Sequence, residues 1–182
     1  LDMLRIISGE WGSRRIQTPP GTGTRPTSER AREGLFSSLA LQGGENVLDL
    51  FAGSGALGIE SLSRGAEKAV FCDQNSRAAA CIRVNIASLG AESRCRVIEA
   101  DWRVACGNLA REGADFDVVF VDPPWAQTAE VGEQLLSELS PLLAPGATVV
   151  IESASAEPME LSLPLLREKR YGDTLIGFYE SQ

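Results

Sequence analysis

From residue 46 onward short apolar runs alternate regularly with turns and helical patterns, and this alternation, without any internal sequence repeat, limits the possible folds more than any other feature. Apolar runs of strand length fall at 46–51, 69–73, 96–99, 116–121 and 147–152. Between them, residues 56–64, 75–89, 102–112 and 129–140 carry apolar positions at helical spacing. Ala79, Ile82, Ile86 and Leu89, for example, share one side of the second of these helices. Strands that alternate with helices in this way build βαβ units, whose right-handed crossovers make the sheet parallel. The expectation is an α/β fold with a mostly parallel sheet. The ending breaks the pattern, since 167–171 and 174–180, joined by Gly172-Asp173, read as a closing antiparallel hairpin.

The front of the chain is different. Residues 4–7 and 15–18 are short extended runs joined by the Gly-containing stretch 8–13, which reads as a β-hairpin. A single hairpin is marginal alone, so it must rest on the main body or on a ligand. Residues 19–26 are a loop by composition, and Thr27 or Ser28 caps a helix whose Ala31, Leu35 and Leu39 follow the spacing of one buried face. The 182 residues suffice for one domain with a sizeable core. Residues 1–27 are read as an appendage and 28–182 as the domain. Leu1 and Asp2, ahead of Met3, are set aside as a cloning remnant.

Composition removes whole classes of chemistry. There is no His, so no Ser-His-Asp or Cys-His nucleophile system and no His-containing zinc site can be assembled. The four cysteines, Cys72, Cys81, Cys95 and Cys106, form no Cys-x-x-Cys pair, and no metal is expected. They read as buried thiols of a reducing cytoplasm. No apolar stretch is long enough to cross a bilayer and no secretion signal is evident, so a cytoplasmic protein without a membrane partner is expected. The net charge of −8 argues against a general nucleic-acid binder. Yet residues 1–32 hold six arginines against three acids, whereas the rest holds 11 basic and 22 acidic side chains. A polyanion would therefore be met by the N-terminal segment.

The run Val47 to Gly58 leads from a strand through a Gly-rich turn into a helix. Gly53 and Gly55 permit a tight turn and close backbone approach, and the N–H groups of the helix start favour a carboxylate or phosphate. Gly53 to Gly58 also spells the dinucleotide fingerprint G-x-G-x-x-G, with Asp73 near the distance of a ribose-binding acid. Asp49, four residues before the first Gly, favours a different cofactor. Its charge at the loop would repel a pyrophosphate and attract an ammonium. S-adenosylmethionine carries an ammonium and a sulfonium and has no phosphate. Asp73 would then accept from both ribose hydroxyls, and Asp101 from the adenine amine, with Trp102 beside it as an apolar wall or backbone donor. All three acids end neighbouring strands, at the ligand edge of an open α/β sheet.

Asp122-Pro123-Pro124-Trp125 ends the fourth strand. Two prolines remove two backbone donors and hold the loop extended, so the Asp122 carboxylate and the Pro123 carbonyl face a ligand as acceptors only. This suits a substrate whose reacting group is an –NH₂ conjugated to a ring. Two acceptors holding its hydrogens aim the nitrogen lone pair at an electrophilic methyl, which is catalysis by positioning. Trp125 offers a flat face to a flipped-out base.

Asp122 to Trp125 resembles the [DNS]-P-P-[YFW] motif of methyltransferases acting on the amino groups of nucleic-acid bases. Together with Arg5 to Gly9, Arg25-Pro26-Thr27, Arg30, Arg32 and the loop Val47 to Gly58, nearly the whole chain is similar to the RsmD family, which methylates guanine N2 in 16S ribosomal RNA. The resemblance implies a Rossmann-like class I methyltransferase with a seven-stranded, mostly parallel sheet, its last strand pair antiparallel, plus an N-terminal hairpin. It implies S-adenosylmethionine held by Asp49, Phe51, Ala52, Gly53, Ser54, Gly55, Asp73, Asp101, Trp102 and Thr27. Asp122, Pro123, Pro124 and Trp125 would be catalytic, and Arg5, Arg14, Arg15, Arg25, Arg30 and Arg32 would contact RNA. The implied partner is 16S rRNA within the small subunit or its late precursor, met by a monomer. Two residues depart from the usual pattern: Trp125 where Tyr or Phe is common, and Asp73 where Glu is. The alternatives are a DNA adenine-N6 or cytosine-N4 methyltransferase, which shares the tetrad but usually carries a large target-recognition domain, and a dinucleotide-binding oxidoreductase or sensor, which leaves Asp122 to Trp125 unused.

Overall fold

A run such as Val47-Leu48 that is apolar on both sides belongs in the middle of a sheet covered on both faces, and in the computed structural model both side chains are inaccessible. The structure describes residues 2–21 and 27–182. Strand β3 (Asn46–Asp49) pairs in parallel with β4 (Lys68–Asp73) on one side and β6 (Phe116–Val121) on the other. Strand order thus reverses at β3 and β6, which opens the crevice where open α/β sheets bind ligands. The full order is β5 (Cys95–Glu99), β4, β3, β6, β7 (Leu143–Ala154), β9 (Thr174–Glu180), β8 (Leu165–Tyr171). Strand β9 runs antiparallel to both of its neighbours.

The strands sort their side chains to two faces by alternation. Val47, Phe71, Val118, Phe120, Val150 and Ile176 face α1 (Glu29–Leu39), α2 (Ala56–Ser63) and α3 (Ser76–Leu89). Leu48, Cys72, Val119, Val121, Val149 and Ile151 face α4 (Trp102–Arg111) and α5 (Thr128–Leu139). Helix starts follow their capping residues. Ser28 is the N-cap of α1, its hydroxyl accepting from the Ala31 N–H at 3.1 Å, and Asn75 caps α3. Gly58 lets α2 lie directly on β4, because a Cβ there would run into the Phe71 ring.

The N-terminal hairpin pairs β1 (Met3–Arg5) with β2 (Arg15–Gln17), and the residues between fold over α2. Ile6, Trp11 and Ile16 are buried in the same core as Val47 and Phe71. Polar groups of the main body hold it in place. Glu60 is inaccessible and accepts from the N–H groups of Ile7 (2.9 Å) and Ser8 (3.1 Å) and from Arg64 Nε (2.8 Å). The Ser63 hydroxyl accepts from the Trp11 N–H and donates to the Ser8 carbonyl, and Asn85 makes paired bonds with the Gln17 backbone. The body thus supplies the support that a lone hairpin needs. Asp2, set aside in the sequence reading, takes part as well, its carbonyl accepting from the Thr18 N–H at 3.0 Å.

Among the described residues no helix is long and apolar enough to cross a membrane. All four cysteines are free, and burial pushes the Cys72 and Cys106 thiols up to about 12 and Cys95 up to about 11, as expected of unreactive packed thiols.

Candidate active site

The turn between β3 and α2 needs its glycines for their backbone angles. Gly53 and Gly55 have φ of 58° and 80°, and a Cβ on Gly53 would meet nothing within 4 Å, so at Gly53 the requirement is conformational rather than steric. Gly55 is the N-cap of α2 and brings no capping side chain, so apart from the Gly58 N–H, which Asp49 takes, the helix start is open to a ligand group. Asp73, at the end of β4, braces the loop: Oδ2 accepts from the Gly53 N–H and Oδ1 from the Asn75 N–H, each at 2.9 Å. Each oxygen keeps capacity for one further donor, such as a hydroxyl. Asn85 donates to the Ser54 carbonyl at 2.9 Å, and the Ala52 N–H reaches the Cys72 carbonyl.

Asp49 lies under this loop, where the sequence reading placed its charge at the mouth. It is 2% exposed, and Oδ2 accepts from the Gly58 N–H at 3.1 Å, pinning the first turn of α2. Burial, with the nearby Asp73 charge adding to it and the Gly58 bond opposing, pushes its carboxyl up to about 7.

Asp101 is the N-cap of α4, the ordinary structural role for an aspartate there. Oδ1 accepts from the Arg103 N–H and Nε, and Oδ2 from Arg103 Nη2, an arrangement that holds the carboxyl below the usual range. An adenine amine would share these oxygens with Arg103. Trp102 is buried and tilted against Phe51 with ring centroids 6.1 Å apart, an apolar wall beside the β4 and β5 ends.

Asp122 follows β6. Pro123 is buried, Pro124 is extended at φ −52° and ψ 135°, and Trp125, 51% exposed, begins a short 3₁₀ turn into α5. Strand pairing sets three carboxylates together on the α1 side of the sheet. Asp49 lies level with Phe120, and Asp122 and Glu152 follow the paired Val121 and Ile151. Glu152 is buried, and the Thr27 hydroxyl donates to its Oε2 at 2.6 Å. Desolvation and the charges of Glu152 and Asp49 push Asp122 well above the ordinary carboxylate range. Desolvation raises Glu152 as well. Thr27, expected among the cofactor residues, is thus placed by the structure on this acid cluster. Glu152 was missed. The sequence shows it only as an acid closing an apolar run, with nothing to tie it to Asp122 before the β6–β7 pairing is known.

The arginines divide. Arg15 and Arg30 are exposed, Arg5 is exposed and paired with Glu29, and Arg14 donates to the Ser88 carbonyl at 2.6 Å. Arg32 corrects the expectation of a surface cation. It is 2% exposed and donates to the Arg5 carbonyl at 3.1 Å, because the hairpin covers its face of α1. Burial lowers its pKa, with Glu60 opposing. Arg25 lies outside the described residues. A groove of about 500 Å³ runs between the hairpin and the start of α1, lined by Arg5, Arg15, Thr27 and Ser28 among others.

This strand order, with an antiparallel β9 between β7 and β8 and a glycine loop at the reversal, is the Rossmann-like fold of class I methyltransferases. The comparisons narrow the class. Residues 4–180 match the family model described as "Conserved hypothetical protein 95". The chain is 35% identical to "Ribosomal RNA small subunit methyltransferase D" of Escherichia coli (strain K12), over 98% of its own length and 90% of that protein. It is 33% identical to "Putative rRNA methyltransferase YlbH" of Bacillus subtilis (strain 168), over 98% and 100%. The solved structure titled "Putative methyltransferase yhhF from Escherichia coli" superimposes with a TM-score of 0.84 at 34% identity, covering 100% of this chain and 99% of that one. The chain belongs to this family, that of the RsmD methyltransferases.

Proposed function

We propose that this protein transfers the methyl group of S-adenosylmethionine to the exocyclic N2 of a guanine in 16S rRNA, within the small ribosomal subunit or its late precursor. The observation that carries the reading is the position of Asp122-Pro123, at the carboxyl end of β6 and directly beside the glycine loop that ends β3. An amine donor gripped there lies next to whatever the loop holds.

The loop fits the cofactor. The open space at Gly53, the start of α2 with its side-chain-free Gly55 N-cap and the braced Asp73 carboxylate suit a methionine carboxylate and a ribose diol. Asp49 below the loop would attract the ammonium, and Phe51 and Trp102 would flank the adenine. S-adenosylmethionine supplies an electrophilic methyl on sulfur. Asp122 and the Pro123 carbonyl accept the two amine hydrogens and orient the nitrogen, and Trp125, half-exposed, stacks on the flipped base. The groove between the hairpin and α1, with Arg5 and Arg15 on its wall and Arg30 exposed nearby on α1, receives the RNA backbone, so residues 1–27 serve as the RNA-contacting appendage. The protein acts as a monomer in the cytoplasm, whose reducing conditions suit its free cysteines.

Calorimetry with S-adenosylmethionine and with NAD tests the cofactor, and label transfer to small-subunit particles, naked 16S rRNA and duplex DNA tests the acceptor. The expected results are binding of S-adenosylmethionine and N2-methylguanosine in the RNA. Preference for NAD, or methylated adenine or cytosine in DNA, would overturn the reading.

A further inference from the structure

The proposed reaction leaves one buried acid of the site without a task. Glu152 sits on β7 level with Asp122, is 7% exposed and takes the proton of the Thr27 hydroxyl at 2.6 Å. Among the described residues, the neighbouring strands and the start of α1 bring these groups to the pair. Asp49 comes from β3, Thr27 precedes α1, Phe36 of α1 packs on Phe120, and Ile176 of β9 lies opposite Glu152. Among the described residues no Arg or Lys hydrogen-bonds to either acid, and the Thr27 hydroxyl is the hydrogen-bond partner of Glu152. A buried acid with this little compensation is a liability to stability unless it serves the chemistry.

Methyl transfer produces a proton. The amine nitrogen bonds the methyl carbon, the carbon–sulfur bond breaks with its electron pair remaining on sulfur, and one N–H breaks with its pair remaining on nitrogen. The proton must be accepted close by, and the Asp122 carboxylate is the acceptor within reach.

We propose that Glu152 is a positioning residue for methyl transfer, acting through its charge and through Thr27 to make Asp122 an effective acceptor of the amine proton. The inference rests on the function proposed above. Its geometry turns on one hydroxyl. Thr27 carries a single proton, and the 2.6 Å bond gives it to Glu152, so that proton is not free for Asp122. Ionised Asp122 beside ionised Glu152 is repelled and lacks that donor, so Asp122 holds a proton more firmly than an ordinary carboxyl. Asp122 therefore stays protonated to a higher pH than an ordinary carboxyl, and activity rises with pH as it releases that proton.

The test compares Glu152→Gln, which keeps shape and loses charge, with Glu152→Asp, which keeps charge and loses shape. In single-turnover methyl transfer, E152Q should move the ascending limb of the pH profile down by about one unit or more and lower the plateau by roughly tenfold, while E152D restores the limb. Infrared titration of the free protein gives a readout without turnover: at pH 7, E152Q should show one buried protonated carboxyl fewer than the wild type or E152D. If both variants instead lose activity evenly at every pH, and E152Q keeps the same number of protonated carboxyls, Glu152 is a packing residue and the inference falls. If the wild type methylates no small-subunit RNA, the proposed function falls, and the infrared count alone decides whether the acid pair exists.

Discussion

Replacing Asp49 with Asn separates what the buried carboxyl costs the fold from what it gives the ligand. The substitution keeps an oxygen for the Gly58 N–H and removes the charge. Burial raises this carboxyl from 3.8 to about 7, so between those pH values the folded protein binds a proton that the unfolded chain has released. Wild-type stability therefore declines as pH rises through that window, and the whole penalty stands above about pH 7. At about 1.4 kcal/mol per unit, a gap of about 3 units amounts to about 4 kcal/mol, a ceiling on what the charge costs. Asn carries no such penalty. In urea denaturation the advantage of Asp49→Asn over wild type should grow by about 2–3 kcal/mol between pH 5 and pH 8. In calorimetry at pH 8 the same variant should bind S-adenosylmethionine more weakly, by about 1.5–3 kcal/mol, the worth of a hydrogen bond to a charged group. An advantage that is equal at both pH values, or a variant less stable than wild type at pH 8, would refute the assignment of this acid as a strained, ligand-directed charge.

The remaining expectations concern other parts of the site. Asp122→Ala should abolish methyl transfer with S-adenosylmethionine affinity within a few fold, and loss of affinity in calorimetry would move Asp122 out of its role. Glu60→Ala removes the acceptor for Ile7, Ser8 and Arg64 and should cost about 3–5 kcal/mol, with hydrogen exchange speeding first over residues 3–17; uniform exchange would contradict the anchoring role. Charge reversal at the exposed Arg15 and Arg30 should weaken binding to small-subunit particles and reduce its salt dependence, by about one unit of slope per arginine, while cofactor affinity stays as it is.

The architecture was legible because its signal is periodic. Each expected strand and helix from residue 46 onward appears within a few residues of its place, and the largest shift, the start of β7 at Leu143 instead of 147, falls at an end that periodicity defines poorly. The glycine loop and Asp122-Pro123-Pro124 were legible because their backbone demands are written in glycine and proline. What stayed hidden were charges whose burial depends on a distant segment. Arg32 is next to Ala31 on α1 and reads as solvated until the hairpin closes over it. Glu60 reads as a helix-surface acid, yet it collects two N–H groups more than fifty residues away. Glu152 belongs with Asp122 only once β6 and β7 are known to be neighbours.

Nucleoside mass spectrometry of small-subunit rRNA from a strain lacking this protein confronts the central claim most directly. The account predicts that a single N2-methylguanosine disappears and returns with the wild-type protein but not with Asp122→Ala. An unchanged set of modified nucleosides, or the loss of a methylated adenine or cytosine instead, would contradict it.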